Sequence, residues 1–162
     1  VMEAVPEPLR PLARWRNTKV VILGVGNTLM GDDAAGPLVC ERMAGRSSAV
    51  VIDAGTVPEN YIAPIRRAAP DVLLVVDAVD FGGVLGQIRV FDPAEICAFA
   101  FGTHALSFHL FLDKLQRERP IDVRLIGIQA GPRELGGRVS PAVHRAIEML
   151  AAGLEALFQP SA

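Results

Sequence analysis

The segment that most constrains the fold is a short apolar run that ends in glycines and is followed by two adjacent acids. Residues 20–23 are all apolar, and Gly24 and Gly26 come just after them. Such a run, bounded by turn-forming glycines, predicts a strand that is buried on both faces of a sheet. The loop that follows carries Asp32 and Asp33 to the carboxyl edge of that sheet. We therefore expect an α/β fold whose functional groups lie at this edge.

Length and composition agree with one globular domain. The chain has 162 residues, 51% of them hydrophobic, and a formal net charge of −2. A chain of this size can bury its own core, and its near-balanced charge argues against a generic nucleic-acid binder. Cys40 and Cys97 lie far apart in helix-like apolar patterns and are interpreted as small buried hydrophobes. No apolar run approaches the ~18 residues that a membrane span needs, so we expect a monomeric cytoplasmic protein that binds neither nucleic acid nor membrane.

The remaining apolar patterns predict alternating strands and helices. Strands are expected at residues 19–24, 49–53, 72–76, 87–91 and 123–129. Helices are expected at residues 34–44, 61–69, 93–99, 104–117 and 141–157. This order has no internal repeat and predicts a single three-layer α/β domain, with a mostly parallel five-stranded twisted sheet between helices. The fourth strand alternates polar and apolar residues, which favours an antiparallel strand at an edge of the sheet.

The first 18 residues differ from the rest of the chain in composition. They are rich in proline and arginine and lack the continuous apolar segment of a signal peptide. We assign residues 1–18 to a flexible amino-terminal arm and residues 19–162 to the domain. The alternative is that the arm packs on the domain surface through Leu9, Leu12 and Trp15.

Acidic residues are expected to gather at the carboxyl edge of the sheet. Five of them follow or end the first three strands: Asp32, Asp33, Asp53, Asp77 and Asp80. Carboxylates that share one edge repel one another and titrate abnormally, and a bound cation would relieve this repulsion. Among the three histidines, His104 is the candidate ligand, because it starts a predicted helix whose dipole disfavours the imidazolium form. His109 and His144 are interpreted as packing or surface residues.

Two carboxylates and one imidazole form a mixed oxygen and nitrogen site with open coordination positions. Such a site suits nickel, zinc, iron or cadmium better than a closed structural zinc. The glycines after the first strand also allow a dinucleotide-binding interpretation. However, Leu29 stands where the third glycine of that fingerprint belongs, and acids stand where phosphate would bind. The residues alone thus indicate an α/β domain with an acidic, metal-binding edge and leave its reaction open.

Four short motifs occur in order along the chain, at residues 24–37, 53–56, 74–78 and 102–104. Together they resemble the maturation endopeptidases of NiFe hydrogenases. Further segments resemble the branch of that family that processes the large subunit of formate-hydrogenlyase-type hydrogenase; these are residues 58–60, 86–93 and 125–129. The resemblance implies a phosphorylase/hydrolase-like three-layer fold.

The resemblance also implies the site and the reaction. By motif position it implies a metal-binding trio of Asp33, Asp77 and His104, and catalytic roles for Asp33, Asp77 and Asp53. The implied reaction removes a carboxyl-terminal extension from the nickel-loaded precursor of a hydrogenase large subunit. The precursor would supply the nickel, for which zinc or cadmium can substitute in crystals. Asp53 or Asp32 would orient an attacking water, although Asp32 is the better candidate for shaping the loop.

Two other functions agree with the same motifs. The first is a self-sufficient metallopeptidase or amidase that holds its own metal tightly. The second is a non-enzymatic, nickel-dependent chaperone of the same precursor. The chain departs from the family at Ala34 and Ala54, where glycine is frequent; alanine tolerates a positive φ less well, so these positions test the loop geometry.

Overall fold

A five-stranded sheet forms the middle layer of the computed structural model, which describes residues 5–98 and 105–160. The strands are β1 (Val20–Gly24), β2 (Val50–Asp53), β3 (Val72–Val79), β4 (Ile88–Phe91) and β5 (Asp122–Gln129). Their order in the sheet is β2-β1-β3-β5-β4. Strands β2, β1, β3 and β5 are parallel to one another. Strand β4 pairs antiparallel with β5 at one edge of the sheet. The predicted sheet is confirmed, including its antiparallel edge strand.

Helices cover both faces of the sheet. They are α1 (Ala35–Met43), α2 (Ile62–Ala68), α3 (Pro93–Ala98), α4 (Ala105–Gln116) and α5 (Pro141–Leu157). Helices α1 and α5 pack on one face, where their apolar side chains share a core with alternate residues of β1, β3 and β5. Helices α2, α3 and α4 pack on the other face. No helix within the described residues is both long and apolar enough to cross a membrane.

The third strand is longer than the sequence predicts. It was expected to end at residue 76, but β3 continues to Val79 because its last residues pair with the equally long β5. Asp77 therefore lies inside the strand, opposite Gly127. Side chains alternate between the two faces of a strand. Val76 packs with α1 and α5 and Val75 packs with the other helices, so Asp77 points to the face covered by α2, α3 and α4.

The glycines after β1 allow the backbone of α1 to approach the sheet closely. A Cβ atom at Gly36 would lie 2.3 Å from the carbonyl oxygen of Val25, and one at Gly24 would lie 2.5 Å from the Cys40 sulfur. Gly26 has a φ of +147°, and a Cβ there would lie 1.9 Å from the carbonyl oxygen of Asp33. Close packing of α1 and its preceding loop on the sheet thus accounts for these three glycines.

The amino-terminal segment packs on the domain, which corrects the expected flexible arm for residues 5–18. It contains a 3-10 helical segment, Glu7–Trp15, whose Leu9, Leu12 and Trp15 are buried together with apolar residues of α5. A 3-10 helix has three residues per turn, so side chains spaced by three align along one face. The composition of the segment suggested a flexible arm, but its three-residue apolar spacing specifies a packed one.

Leu12→Ala is expected to lower the free energy of unfolding by about 2–4 kcal/mol, because it leaves a cavity where a fully buried side chain was. Equilibrium urea unfolding measures this change. Leu135→Ala is the matched control, since that leucine is exposed and its loss should change stability by less than about 0.5 kcal/mol. Equal stabilities of the two variants would contradict the packed arrangement.

Candidate active site

Asp32 anchors the loop after β1 to the connection between β5 and α5. Its carboxylate accepts hydrogen bonds from the Gly131 N–H (2.8 Å), the Ser140 N–H (2.6 Å) and the Ser140 hydroxyl (2.8 Å). The Asp32 N–H in turn donates to the Pro132 carbonyl oxygen (3.1 Å). Both carboxylate oxygens are engaged and the residue is completely buried. Asp32 therefore shapes the site, and it is not placed to activate a water molecule.

Asp33 and Asp77 are the two acids of this edge that interact electrostatically. Asp33 is half-buried in a 3-10 turn, Gly31–Ala34, and its carboxylate accepts a hydrogen bond from the Asn27 N–H at 2.8 Å. Burial raises the pKa of Asp77 to about 8, and the nearby negative charge of Asp33 adds to the rise. Such mutual repulsion between close carboxylates favours cation binding.

Arg133 is the cation that faces this pair. Its guanidinium donates to the Ala78 carbonyl oxygen at 3.2 Å, and its positive charge opposes the rise in the pKa of Asp77. Arg133 lies on the connection between β5 and α5 that Asp32 anchors. The sequence analysis missed Arg133, because a lone arginine in a connection without a motif carries no local signal.

Asp53 does not join the pair. Its neighbours Val51 and Ile52 pack with α1 and with α2–α4 respectively, so by alternation Asp53 points to the α1 face, opposite to Asp77. There it lines a groove of about 670 Å³, together with Thr28 of the β1 loop. Because β1 lies between β2 and β3, two strand spacings, or about 10 Å, separate Asp53 from β3.

The other polar groups of this edge have partners of their own. Asp80 accepts hydrogen bonds from the Gln129 side-chain amide (3.0 Å) and the Gly82 N–H (3.2 Å), and these bonds lower the pKa of Asp80. Burial raises the pKa of the Cys40 thiol to about 12, which confirms the buried-hydrophobe interpretation of that residue. The expected group of five acids therefore divides into one close pair and three acids with other surroundings.

His104 lies outside the described residues. The helix that follows it in the sequence, α4, begins at Ala105 and covers the face to which Asp77 points. His109 is half-buried and His144 is exposed, as expected. Within residues 5–98 and 105–160, no three side chains of His, Cys, Asp or Glu are grouped so as to hold a metal. Two of the three expected ligands are thus described, and they lie together.

The backbone at the two alanines of the motifs is unstrained. Ala34 has a φ of −70°. Among the described residues other than glycine, only Ala69 has a positive φ, at 47°. The replacement of glycine by Ala34 and Ala54 therefore leaves the loop geometry intact.

The fold and the acids at its carboxyl edge define a three-layer α/β domain with a candidate cation-binding site, and comparison with known proteins identifies its family. The family model for hydrogenase maturation protease (HycI) matches residues 38–156. The Hydrogenase 3 maturation protease of Escherichia coli K12 is 44% identical over 112 residues, which cover 67% of this chain and 71% of that protein.

Solved structures agree with the sequence comparison. The NiFe hydrogenase maturation protease HycI from Thermococcus kodakarensis KOD1 superposes with a TM-score of 0.82 at 30% identity, over 91% of this chain and 97% of that chain. The solution structure of the endopeptidase HycI from Escherichia coli superposes with a TM-score of 0.74 at 36% identity, over 85% of this chain and 90% of that chain. The chain belongs to the hydrogenase maturation protease family and is an endopeptidase, as its motifs predict.

Proposed function

We propose that this endopeptidase removes a carboxyl-terminal extension from the nickel-loaded precursor of a NiFe-hydrogenase large subunit. The observation that carries the proposal is the electrostatic interaction of Asp33 with the buried Asp77 at the carboxyl edge of the sheet, in a member of this family. A cation that binds between two carboxylates relieves their repulsion and so lowers the free energy of the pair. The nickel of the precursor is the proposed cation, and it belongs to the substrate.

Asp33, Asp77 and His104 are the residues proposed to bind that nickel. Asp33 is oriented for this by its hydrogen bond from the Asn27 N–H. Asp77 would release its proton on binding, because a carboxyl group must be ionised to act as a ligand. Two oxygens and one imidazole nitrogen leave coordination positions open for ligands from the precursor. The peptidase would thus recognise a precursor only after nickel insertion.

Binding of the precursor's nickel would place the scissile peptide bond at the site, where it can be hydrolysed. A nickel ion can polarise the scissile carbonyl or lower the pKa of an attacking water. Asp53 is the proposed base, since its carboxylate is exposed and makes only one described bond, from the Gly55 N–H at 2.9 Å. Asp53 lies on the opposite face of the sheet, about 10 Å from β3, so the scissile bond would have to lie over the end of β1 to come within its reach.

Incubation with nickel-loaded and nickel-free precursor, followed by mass spectrometry, tests the proposal. We expect the truncated product only from the nickel-loaded precursor. A stable complex without cleavage would support the chaperone alternative instead. Cleavage of nickel-free precursor, together with a stoichiometric metal in the purified protein, would support the self-sufficient metallopeptidase.

Single variants in the same assay test the proposed residues. Asp33→Asn and His104→Ala should each lower the processing rate at least ~100-fold through lost nickel ligands, and Asp53→Asn should lower it ~100-fold or more through loss of the base. Asp80→Asn is the control and should process normally, because among the described residues the Asp80 carboxylate accepts its hydrogen bonds from the Gly82 N–H and the Gln129 amide. Full activity in any of the first three variants would remove that residue from the proposed site.

We also propose that the protein acts as a monomer in the cytoplasm. The buried, unpaired Cys40 thiol suits a reducing compartment. A monomer leaves the carboxyl edge of the sheet open to the precursor. Sedimentation of the purified protein would measure whether it is a monomer.

A further inference from the structure

Large apolar side chains are exposed at the same edge of the sheet as Asp33 and Asp77. Leu29 in the β1–α1 loop is 64% exposed. Val84 (77%) and Leu85 (41%) lie in the turn between β3 and β4, and Leu135 (77%) lies between β5 and α5. All of these connections meet at the carboxyl edge, because β3 ends there and the antiparallel β4 begins there. We call these four residues the apolar rim.

The opposite edge of the sheet differs. Its described connections are residues 16–19, 44–49, 69–71, 92 and 117–121, and they contain no exposed large apolar residue. One such residue lies next to them, since Val50, the first residue of β2, is 46% exposed. Single exposed apolar residues are common on protein surfaces and need no explanation. Five of them lie on connections at the carboxyl edge, because Val57 after β2 (42% exposed) adds to the four of the apolar rim. Such a grouping beside a candidate site is of the kind that binds a partner.

Backbone contacts hold the rim together and join it to the site. The Gly136 N–H donates to the Leu29 carbonyl oxygen at 2.8 Å, which links two of the connections. Leu85 packs beside Gly131, where a Cβ would lie 3.0 Å from its Cδ1 atom. Gly131 is also one of the residues bound by the Asp32 carboxylate. The rim is therefore built on the same framework that positions Asp33 and Arg133.

The proposed metal ligands do not by themselves explain selectivity for one precursor, and the apolar rim can provide it. Two carboxylates and an imidazole recognise a metal ion but carry no information about the protein that presents it. Selectivity for one precursor needs further contacts, and buried apolar side chains at the centre of an interface provide most of its binding free energy. Arg133, whose positive charge acts on Asp77, comes two residues before Leu135 in the sequence.

We propose that the apolar rim binds an apolar segment of the precursor next to the bond that is cut. This inference rests on the proposed function, since it concerns the same substrate at the same edge. The segment would lie over the connections that carry Leu29, Val84 and Leu135 while the nickel is held by the neighbouring ligands. The rim then selects which precursor is bound, and the acids detect whether that precursor carries nickel.

The triple variant Leu29→Ser, Val84→Ser, Leu135→Ser tests the rim, with Met149→Ser on α5 as the control. Met149 is 49% exposed and lies on a helix away from this edge. We expect KM for the nickel-loaded precursor to rise at least ~10-fold in the triple variant, with kcat within about twofold of the wild type. Thermal unfolding confirms that each variant is folded, and Leu135→Ser alone replaces the triple variant if that one is not.

Precursor binding, measured by interferometry apart from cleavage, separates the two hypotheses. If the wild type cleaves and the rim variant keeps a KM within about twofold, the rim is rejected and the proposed function stands. An equal rise of KM in Met149→Ser would also reject it. If the wild type does not cleave, the proposed function is rejected, and a loss of affinity in the rim variant alone would still support the rim.

Discussion

Asp77→Asn is expected to make the metal-free protein more stable while it abolishes processing. Burial and the charge of Asp33 raise the pKa of Asp77 from 3.8 to about 8 in the folded protein. In the unfolded chain the carboxyl group has its ordinary pKa, so folding between these two values requires uptake of a proton. Stability from this group is complete below pH 3.8 and is lost as pH rises through about 8.

Asparagine resembles the protonated carboxyl group and has no charge to bury. Each pH unit in this window changes the free energy of unfolding by up to about 1.4 kcal/mol. Because the Asp77 side chain is partly exposed, solvent screening reduces the total, and we expect a gain of roughly 2–4 kcal/mol at pH 7. The gain should be larger at pH 9 and should vanish toward pH 4. Urea unfolding of both proteins across this range measures it.

The control for this prediction is Asp80→Asn. The pKa of Asp80 is lowered by its bond from the Gln129 amide, so its replacement should not stabilise the protein. Processing by Asp77→Asn should fall at least ~1000-fold, since a nickel ligand is lost. A variant that gains stability and loses activity identifies a group kept for function at a cost to folding. If Asp77→Asn were no more stable at pH 7, the raised pKa of the buried Asp77 carboxyl group would be rejected.

The layers of the fold were predictable because apolar runs and helical stripes specify them. The face to which each acid points was not. The runs that begin β2 and β3, residues 50–52 and 72–76, are apolar without interruption, so neither shows the period-two pattern that tells one face from the other. Asp53 and Asp77 each follow such a run, and only the alternation observed in the packed sheet places them on opposite faces.

Contacts between distant parts of the chain were beyond the reach of the sequence. Asp32 and Asp33 are neighbours with the same side chain, yet one is clamped by groups about 100 residues away and the other is free to face Asp77. Their ranking in the sequence analysis came from family resemblance. The hydrogen bonds now give it a physical basis, because Asp32 is completely buried and both of its carboxylate oxygens already accept bonds, which leaves it poorly placed to bind a metal or a water molecule.

Asp32→Ala is expected to lower the free energy of unfolding by about 3–5 kcal/mol. The change removes a buried acceptor and leaves the N–H groups of Gly131 and Ser140 without their partner. Each unsatisfied buried donor costs about 1–3 kcal/mol. Ser140→Ala is the matched control: it removes only the hydroxyl bond to Asp32 and should cost about 1 kcal/mol. Urea unfolding of both variants gives the comparison, and a cost for Asp32→Ala no greater than that of the control would contradict the clamp.

The same variant should also process more slowly at temperatures where it remains folded. Asp32 holds the connection that carries Arg133, and Arg133 is the positive charge beside Asp77. Loosening that connection moves the charge and raises the energy of the ionised, metal-binding form of Asp77. Addition of excess nickel-loaded precursor should not restore kcat, because the defect lies in the site. If Asp32→Ala loses stability but keeps full kcat, the clamp supports the fold alone, and the position of Arg133 is fixed by its bond to the Ala78 carbonyl.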